Sequence, residues 1–462
     1  MPPGGRARQS RCRLRVGSVA LTIVLVLAAG DVGAAEGRLL VTVGEVTPSG
    51  ALLWLRGVRE GPVAIEVWAV GASGTRSVAA RVGRQADLVT QVPLNGLAPA
   101  TRHAYRVRQG EAVVTGQFST APAPASPAPV RFLWSGDLGG GGHCRPVDGG
   151  YRIFRTMLRH PADFFLFVGD TVYADIPCRG PDVVRGGGFR ATTLPQFRAR
   201  HRHNRADAPF QEFLRRTPVY AVWDDHEVRN NFAGATEPLA PVGLQAFVDY
   251  WPVAAPADEP TRLYRRFRWG ALLEVFVLDT RQYRSDNEQP DGPGKTMLGP
   301  AQRQWLLDGV TGSAATWKVV VTSVPLSIPT GRPDARDSWS NASVFGLPQE
   351  GGGFATERDT ILRRFREHGV RNLVFITADV HHAELIRHHP WLDFSVHEFV
   401  AGPLAAGPGR PRPLDQGLRP RSMFARGGIW NFGEVAIEPE HLTVRIVDDA
   451  GAVLFTQTIG PE

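Results

Sequence analysis

Cysteine is scarce: there are three in 462 residues, and Cys12 lies in the extreme N-terminal stretch. That scarcity excludes a cysteine-cage zinc site, which needs several thiolates around one ion. A long hydrophobic run is also missing. The apolar stretch Val16–Ala29 is short for a membrane span, which takes roughly 20 residues. Arg6, Arg8, Arg11, Arg13 and Arg15 precede it without an adjacent arginine pair, so twin-arginine export has no support. Cys12 stands inside the stretch and not at its end, which excludes a lipoprotein attachment site. No internal repeat is visible. What remains is a charged, apolar and small-residue order ending at Val32-Gly33-Ala34, the order of a secretory signal. The sequence therefore predicts a signal peptide over residues 1–35, with an uncleaved anchor as the alternative, and a secreted or periplasmic mature chain.

Export would change two counts. Residues 1–34 hold five arginines and one aspartate, and without them the formal charge falls from +7 to +3. The concentrated basic patch wanted by a nucleic-acid binder is then mostly gone, so no stable nucleic-acid partner is expected. Nor is a transmembrane segment expected after cleavage. Two cysteines, Cys144 and Cys178, stay in an oxidising compartment, where they form a candidate disulfide.

The chain is long enough for two domains, and with 43% hydrophobic and 21% charged residues it reads as globular. Residues 36–119 carry short apolar or alternating runs (Leu39–Val43, Ala51–Arg56, Val63–Val70, His103–Val107) separated by Gly, Pro and Asn. This predicts an all-β sandwich of the immunoglobulin or fibronectin III kind. Residues 120–130 hold the Ala-Pro repeat of a stiff linker. Residues 131–462 are expected to form an α/β layered domain. Compact apolar runs (Val130–Ser135, Phe164–Val168, Val219–Trp223, Leu272–Leu278, Lys318–Thr322, Asn372–Thr377) alternate there with helical stretches such as Gly150–Arg159, Pro300–Asp308 and Thr356–His368.

Five of those strands run into polar residues at their carboxyl ends: Gly136-Asp137, Gly169-Asp170-Thr171-Val172-Tyr173, Trp223-Asp224-Asp225-His226-Glu227, Asp279-Thr280-Arg281 and Ala378-Asp379-Val380-His381-His382. Ligands bind outside the carboxyl ends of strands in open α/β sheets, so the five loops read as one site. Taken singly, each is bland: a Gly-Asp after a strand is usually a turn, Tyr173 a half-buried aromatic, and His381 and His382 surface residues. Together, carboxylates, one phenol and few imidazoles make a hard, oxygen-rich set. A phenolate suits Fe(III), and carboxylates suit Ca, Mg or Mn. Two cations bridged by one Asp would clamp a phosphoryl group.

These motifs, in this order, resemble those of the calcineurin-like metallophosphoesterases, and more closely the alkaline phosphatase D (PhoD-like) branch. Val277–Arg284, Glu398–Pro403 and Val43–Pro48 match stretches typical of that branch. The resemblance covers roughly residues 40–460. It implies a four-layer α/β/β/α core and two metal ions, Fe(III) and Ca(II) favoured, with Mn or Mg as alternatives. By position it assigns Asp137 as a ligand of the first metal, Asp170 as the bridge and Tyr173 as a phenolate on Fe(III). Asp225 stands in place of an Asn, Asp379 and His381 match a ligand pair, and His226 lies near the leaving group. It departs where Asp225 and Asp379 replace Asn and His, and where Leu138-Gly139 follows Asp137. The oxygen-rich second site favours Ca over Zn. The implied reaction is hydrolysis of phosphate esters (a phosphodiester, a phospholipid head group or a wall polymer) by in-line attack of an activated hydroxide. Glu227 either orients His226 or is a structural partner.

Other questions stay open on sequence alone. Cys144 and Cys178 either bridge the first two site loops or leave Cys144 as a ligand. Arg281 either reaches a substrate phosphate or pairs structurally. Asn230 and Asn231 are further ligand candidates, and Pro177–His203 is either a basic lid or a solvated loop. The rival functions are an extracellular binding or adhesion protein with a decayed metal site, and a nuclease or cyclic-nucleotide phosphodiesterase.

Overall fold

The computed structural model describes residues 37–462; the signal peptide expected over 1–35 lies outside them. Among the described residues no helix is long and apolar enough to cross a membrane.

Two large sheets carry the molecule. The first has nine strands, and at its centre Val130–Ser135, Phe164–Val168 and Val219–Val222 run parallel side by side. The second has seven, with Leu273–Val277, Trp317–Val321, Leu373–Thr377 and Phe394–Val400 parallel at its centre. Parallel strands buried on both faces read as unbroken apolar runs, and Phe164–Val168 (FFLFV) is fully buried. Side chains alternate between the faces. Val275, Val277, Val319, Val321, Val374 and Ile376 join the core between the sheets, where Trp134 meets Phe399 and Phe164 meets Trp269. Their neighbours Phe276, Val320 and Phe375 turn outward and share a second cluster with Leu306 of the helix Gly299–Thr311 and Ile361 of the helix Ala355–Glu367. On the opposite outer face, Phe165 and Phe167 pack against Phe213 and Phe210 of the helix Ala208–Leu214. The order through the core is helix, sheet, sheet, helix.

The N-terminal strands are hydrogen-bonded to this core. Leu40–Thr47 pairs parallel with the strand Val219–Val222 at Gly44–Val219, and Gly50–Arg56 and Val89–Asn95 extend the nine-stranded sheet outward. Arg76–Val82, Gly61–Ala69, Arg102–Gln109 and Ala112–Ser119 form a separate four-stranded sheet. Arg205 ties the two regions together. It lies 4.0 Å from the Trp54 ring centre and 4.8 Å from that of Trp251, and donates to Thr42 Oγ1. The proline segment is pinned as well: the Ala121 amide donates to the Thr47 carbonyl, and the Ala271 amide to the Ser126 carbonyl.

Because the central strands within each sheet run parallel, their carboxyl ends emerge on a common side, and the loops that follow them build the site.

Candidate metal centre

The strand ends turn sharply. Asp137, Asp170, Asp379 and His381 all have left-handed backbones, with φ of 58, 52, 65 and 57°. Asp tolerates this region better than most residues, but outside glycine it costs energy and concentrates where function demands it. Glycines make the turns fit. A Cβ on Gly169 would lie 2.5 Å from the Asp224 Cβ, and one on Gly402 would lie 2.6 Å from Asp137 Oδ2. Asn431 holds Gly402 from both sides, accepting from its amide at 3.1 Å and donating to its carbonyl at 2.6 Å.

The side chains converge in two overlapping groups. Asp137, Asp170 and His381 offer ligand atoms within 4.8 Å of one another, and so do Asp170, Asp225 and His226. Asp170 belongs to both. The Tyr173 hydroxyl is 3.0 Å from His381 Nε2, which places it with the first group. Asp379 lies outside both groups. It is half-buried, and desolvation of its carboxylate, then the charges of Asp224, Asp337 and Asp225, push its pKa well up.

The donor set fits hard cations. Both carboxylate oxygens of Asp137, Oδ1 of Asp225 and Oδ2 of Asp379 are buried without a hydrogen-bond partner. Unpaired buried charge is costly. Burial, then the charge of Asp224, drives the Asp137 pKa well up; burial, then Asp225 and Asp224, does the same at Asp170. Burial would also raise Asp225, but His226 and Arg281 outweigh it and hold that carboxyl down. His381 is poised as a ligand: its Nδ1 donates to the Gly407 carbonyl at 2.8 Å, leaving the Nε2 lone pair toward Asp137 and Tyr173.

His226 is oriented by Asp175, a residue the sequence reading did not single out. Asp175 Oδ1 lies 2.8 Å from His226 Nδ1, and its Oδ2 accepts from the Asn230 amide at 3.0 Å. The Tyr173 ring stacks on the imidazole at 4.0 Å. Burial would lower the His226 pKa, but Asp225, the Asp175 hydrogen bond and Asp224 raise it to about 9. Glu227 does not touch His226. It accepts from the Thr171 amide and hydroxyl, both at 2.6 Å, and from the Asp224 amide at 2.9 Å, clamping two site loops together.

Several residues at the strand ends turn out to be structural. Arg281 is fully buried, bonded to Asp224 at 2.7 Å and to both oxygens of Asp337, so it does not reach a substrate. Asp279 caps its own turn by accepting from the Arg281 amide, and it receives the Trp223 indole N–H. His382 is buried against Glu384 and the Val380 carbonyl. Asn231 serves Asp225 through its backbone amide. Cys144 and Cys178 are disulfide-bonded, so Cys144 is not a ligand. The end of Pro177–His203 belongs to the helix Leu194–Arg205 and is neither lid nor solvated loop. Arg200 braces the rim from inside, donating to the Tyr173 carbonyl at 2.6 Å.

Fold and site together define a metallophosphoesterase-like protein. Residues 139–437 match the model of the PhoD-like phosphatases, a family of phosphoric ester hydrolases, and the chain belongs to that family. Alkaline phosphatase D of Bacillus subtilis (strain 168) is 28% identical over 327 residues, a match covering 63% of this chain and 52% of that protein. The chain thus spans about half the length of this curated relative. A solved structure of PhoD superposes with a TM-score of 0.73 at 22% identity, over 93% of this chain and 92% of that one. A purple acid phosphatase from yellow lupin (Lupinus luteus) seeds gives 0.63 at 13% identity, over 92% and 74%. At these identities the two structures establish likeness of fold.

Proposed function

We propose that this chain is a metal-dependent phosphoesterase. The observation that carries the reading is Asp170, shared by two ligand groups among buried carboxylate oxygens that have no protein partner. Asp137, Asp170, Tyr173 and His381 would hold one cation, and Asp170 and Asp225 the other, with the unpartnered Oδ2 of Asp379, outside both groups, as a further candidate ligand. Two cations bound there would supply Lewis acidity to the phosphoryl oxygens and lower the pKa of water. The phenol favours Fe(III) at the first position, and the carboxylates favour Ca(II), Mn or Mg at the second.

The protein's own part is positioning and proton transfer. Asp175 fixes the His226 tautomer, so Nε2 presents the proton to the leaving oxygen. The Asp175 carboxylate, 2.8 Å from Nδ1, favours the protonated imidazole. The substrate is a phosphate ester; a phosphodiester, a phospholipid head group and a wall polymer each suit the same centre. We propose further that residues 1–35 export the chain to a secreted or periplasmic location. Residues 36–119 would then form an immunoglobulin- or fibronectin III-like module, 120–130 a connector, and 131–462 a four-layer catalytic domain.

The test is turnover of bis-p-nitrophenyl phosphate by the parent and Asp170→Asn, with elemental analysis of both. The expected outcome is two bound metals and turnover in the parent, with both lost in a variant that stays folded by circular dichroism. Full turnover by Asp170→Asn would overturn the assignment.

A further inference from the structure

A cavity of about 260 Å³ is lined by none of the metal-centre residues. Four parts of the chain meet around it. They are Arg38 ahead of the strand Leu40–Thr47, Arg145 and Gly149-Gly150 in the loop after Cys144, Arg155 on the short helix Ile153–Met157, and Asp207 at the start of the helix Ala208–Leu214. The backbone holds these parts in place. The Val184 amide donates to the Arg145 carbonyl at 2.9 Å, and the adjoining Cys144 is disulfide-bonded to Cys178. Gly150 has a φ of 65°, and a Cβ there would strike the Asp207 carboxylate, so the loop lies flat against that residue.

The charges in this lining do not balance. It holds three arginines, Arg38, Arg145 and Arg155, against one carboxylate, Asp207. Both oxygens of that carboxylate are already engaged, by the Phe210 amide at 3.0 Å and the Tyr151 amide at 3.1 Å. Among the described residues the three arginines form no ion pair, whereas the buried Arg281 and Arg358 are each paired with carboxylates. Arg145 gives one N–H to the His203 carbonyl at 3.0 Å, which leaves most of its donors free. Burial lowers the Arg145 pKa, Asp207 and Tyr151 raise it, and Arg38 lowers it, so Arg38 and Arg145 are close enough to repel. An anion between them would relieve that repulsion. Guanidinium forks match phosphate oxygens in pairs. The surplus of positive charge matches a dianion, and the volume is below that of pockets for drug-sized ligands.

We propose that this cavity is a phosphate-binding site separate from the metal centre, taking inorganic phosphate or the dianionic end of a small phosphomonoester. Arg145, half-buried and fixed by its backbone, is the anchor, and the exposed Arg38 and Arg155 complete the site. A phosphodiester carries a single negative charge and is bound less. No metal takes part, so the site does not depend on the phosphoesterase reading.

The test is calorimetric titration of the full, metal-loaded chain with inorganic phosphate and with methyl phosphate, at about 0.15 M salt, where distant surface charges are screened. Asp170→Asn, which disables the metal centre, isolates the second binding event. The expected result is an event that persists in Asp170→Asn and whose Kd rises about tenfold in Arg155→Gln, the loss of one charge-assisted hydrogen bond. Arg145→Gln should weaken it further. Because Arg145 also holds the His203 carbonyl, the exposed Arg38→Gln is measured beside it. Tighter binding of methyl phosphate than of inorganic phosphate would identify an ester as the ligand; equal or weaker binding would identify inorganic phosphate. No binding in Asp170→Asn, binding that all three arginine variants leave unchanged, or equal competition by dimethyl phosphate would overturn the proposal. Failure of the phosphoesterase reading would show in the turnover of bis-p-nitrophenyl phosphate and would leave this titration unaffected.

Discussion

Asp175 decides which nitrogen of His226 is free, and this gives the sharpest single-residue prediction. Replacing Asp175 with Asn removes a charge that raises the His226 pKa and loosens its tautomer. We expect kcat on bis-p-nitrophenyl phosphate to fall about 100-fold with KM little changed. The alkaline limb of the pH–rate profile should move to lower pH, because His226 then loses its proton sooner. An unchanged limb would mean that Asp175 acts only in packing. At this scale the sequence was informative about residue types and poor about pairings. Aspartates after buried strands could be recognised as costly and therefore purposeful. Whether Asp175, Glu227 or Asp224 reached His226 depended on loop conformation, and the three carboxylates proved to have three different partners.

The loops after Val130–Ser135 and Phe164–Val168 are bound together by Cys144–Cys178 across 34 residues of sequence. Closing a loop of that length is worth about 4 kcal/mol by the chain-entropy relation. Cys144→Ser/Cys178→Ser is therefore expected to unfold at lower urea, with a stability loss of that order, and to retain less metal under dialysis. A variant as stable as the parent would show that Arg200 and the neighbouring loop bonds suffice. Elements were legible where burial is apolar on both faces: Val130–Ser135 and Phe164–Val168 match their expected bounds. They were missed where burial is polar. The strands Ala383–Trp391 and Phe394–Val400 contain Glu384, His388 and Glu398, which are buried and polar, with His388 Nε2 2.7 Å from Glu398. The helix Leu194–Arg205 (LPQFRARHRHNR) reads as a solvated segment, yet Arg200, His201, Asn204 and Arg205 all face inward. No periodicity of hydrophobicity reports a face built from paired polar groups.

Across the whole molecule that helix makes the fold sensitive to acid. Burial, reinforced by Arg205 and Arg200, lowers the His201 pKa to about 3; burial with Arg145 and Arg200 does the same at His203. Both imidazoles are neutral in the fold, while the unfolded chain takes up protons below its ordinary value of 6.5. Their stabilising effect is full above that pH and is lost as the pH falls toward 3, at roughly 1.4 kcal/mol per pH unit for each. Urea midpoints should therefore drop between pH 6.5 and 4, and the double variant His201→Gln/His203→Gln should show a flatter slope. An equal slope would place the acid sensitivity elsewhere. By itself the sequence determined the alternation of buried strands with helices, the common end at which Asp and His gather, and the hardness of the ligand set. These follow from local rules: apolar runs must be buried, and charges at their ends need partners. Only the tertiary structure decided that Leu40–Thr47 joins the core sheet, that Arg281 is spent on Asp224 and Asp337, and that Asp175 takes His226. Each is a pairing between groups whose alternatives are chemically equal in sequence, and only the packed chain brings one of them within bonding distance.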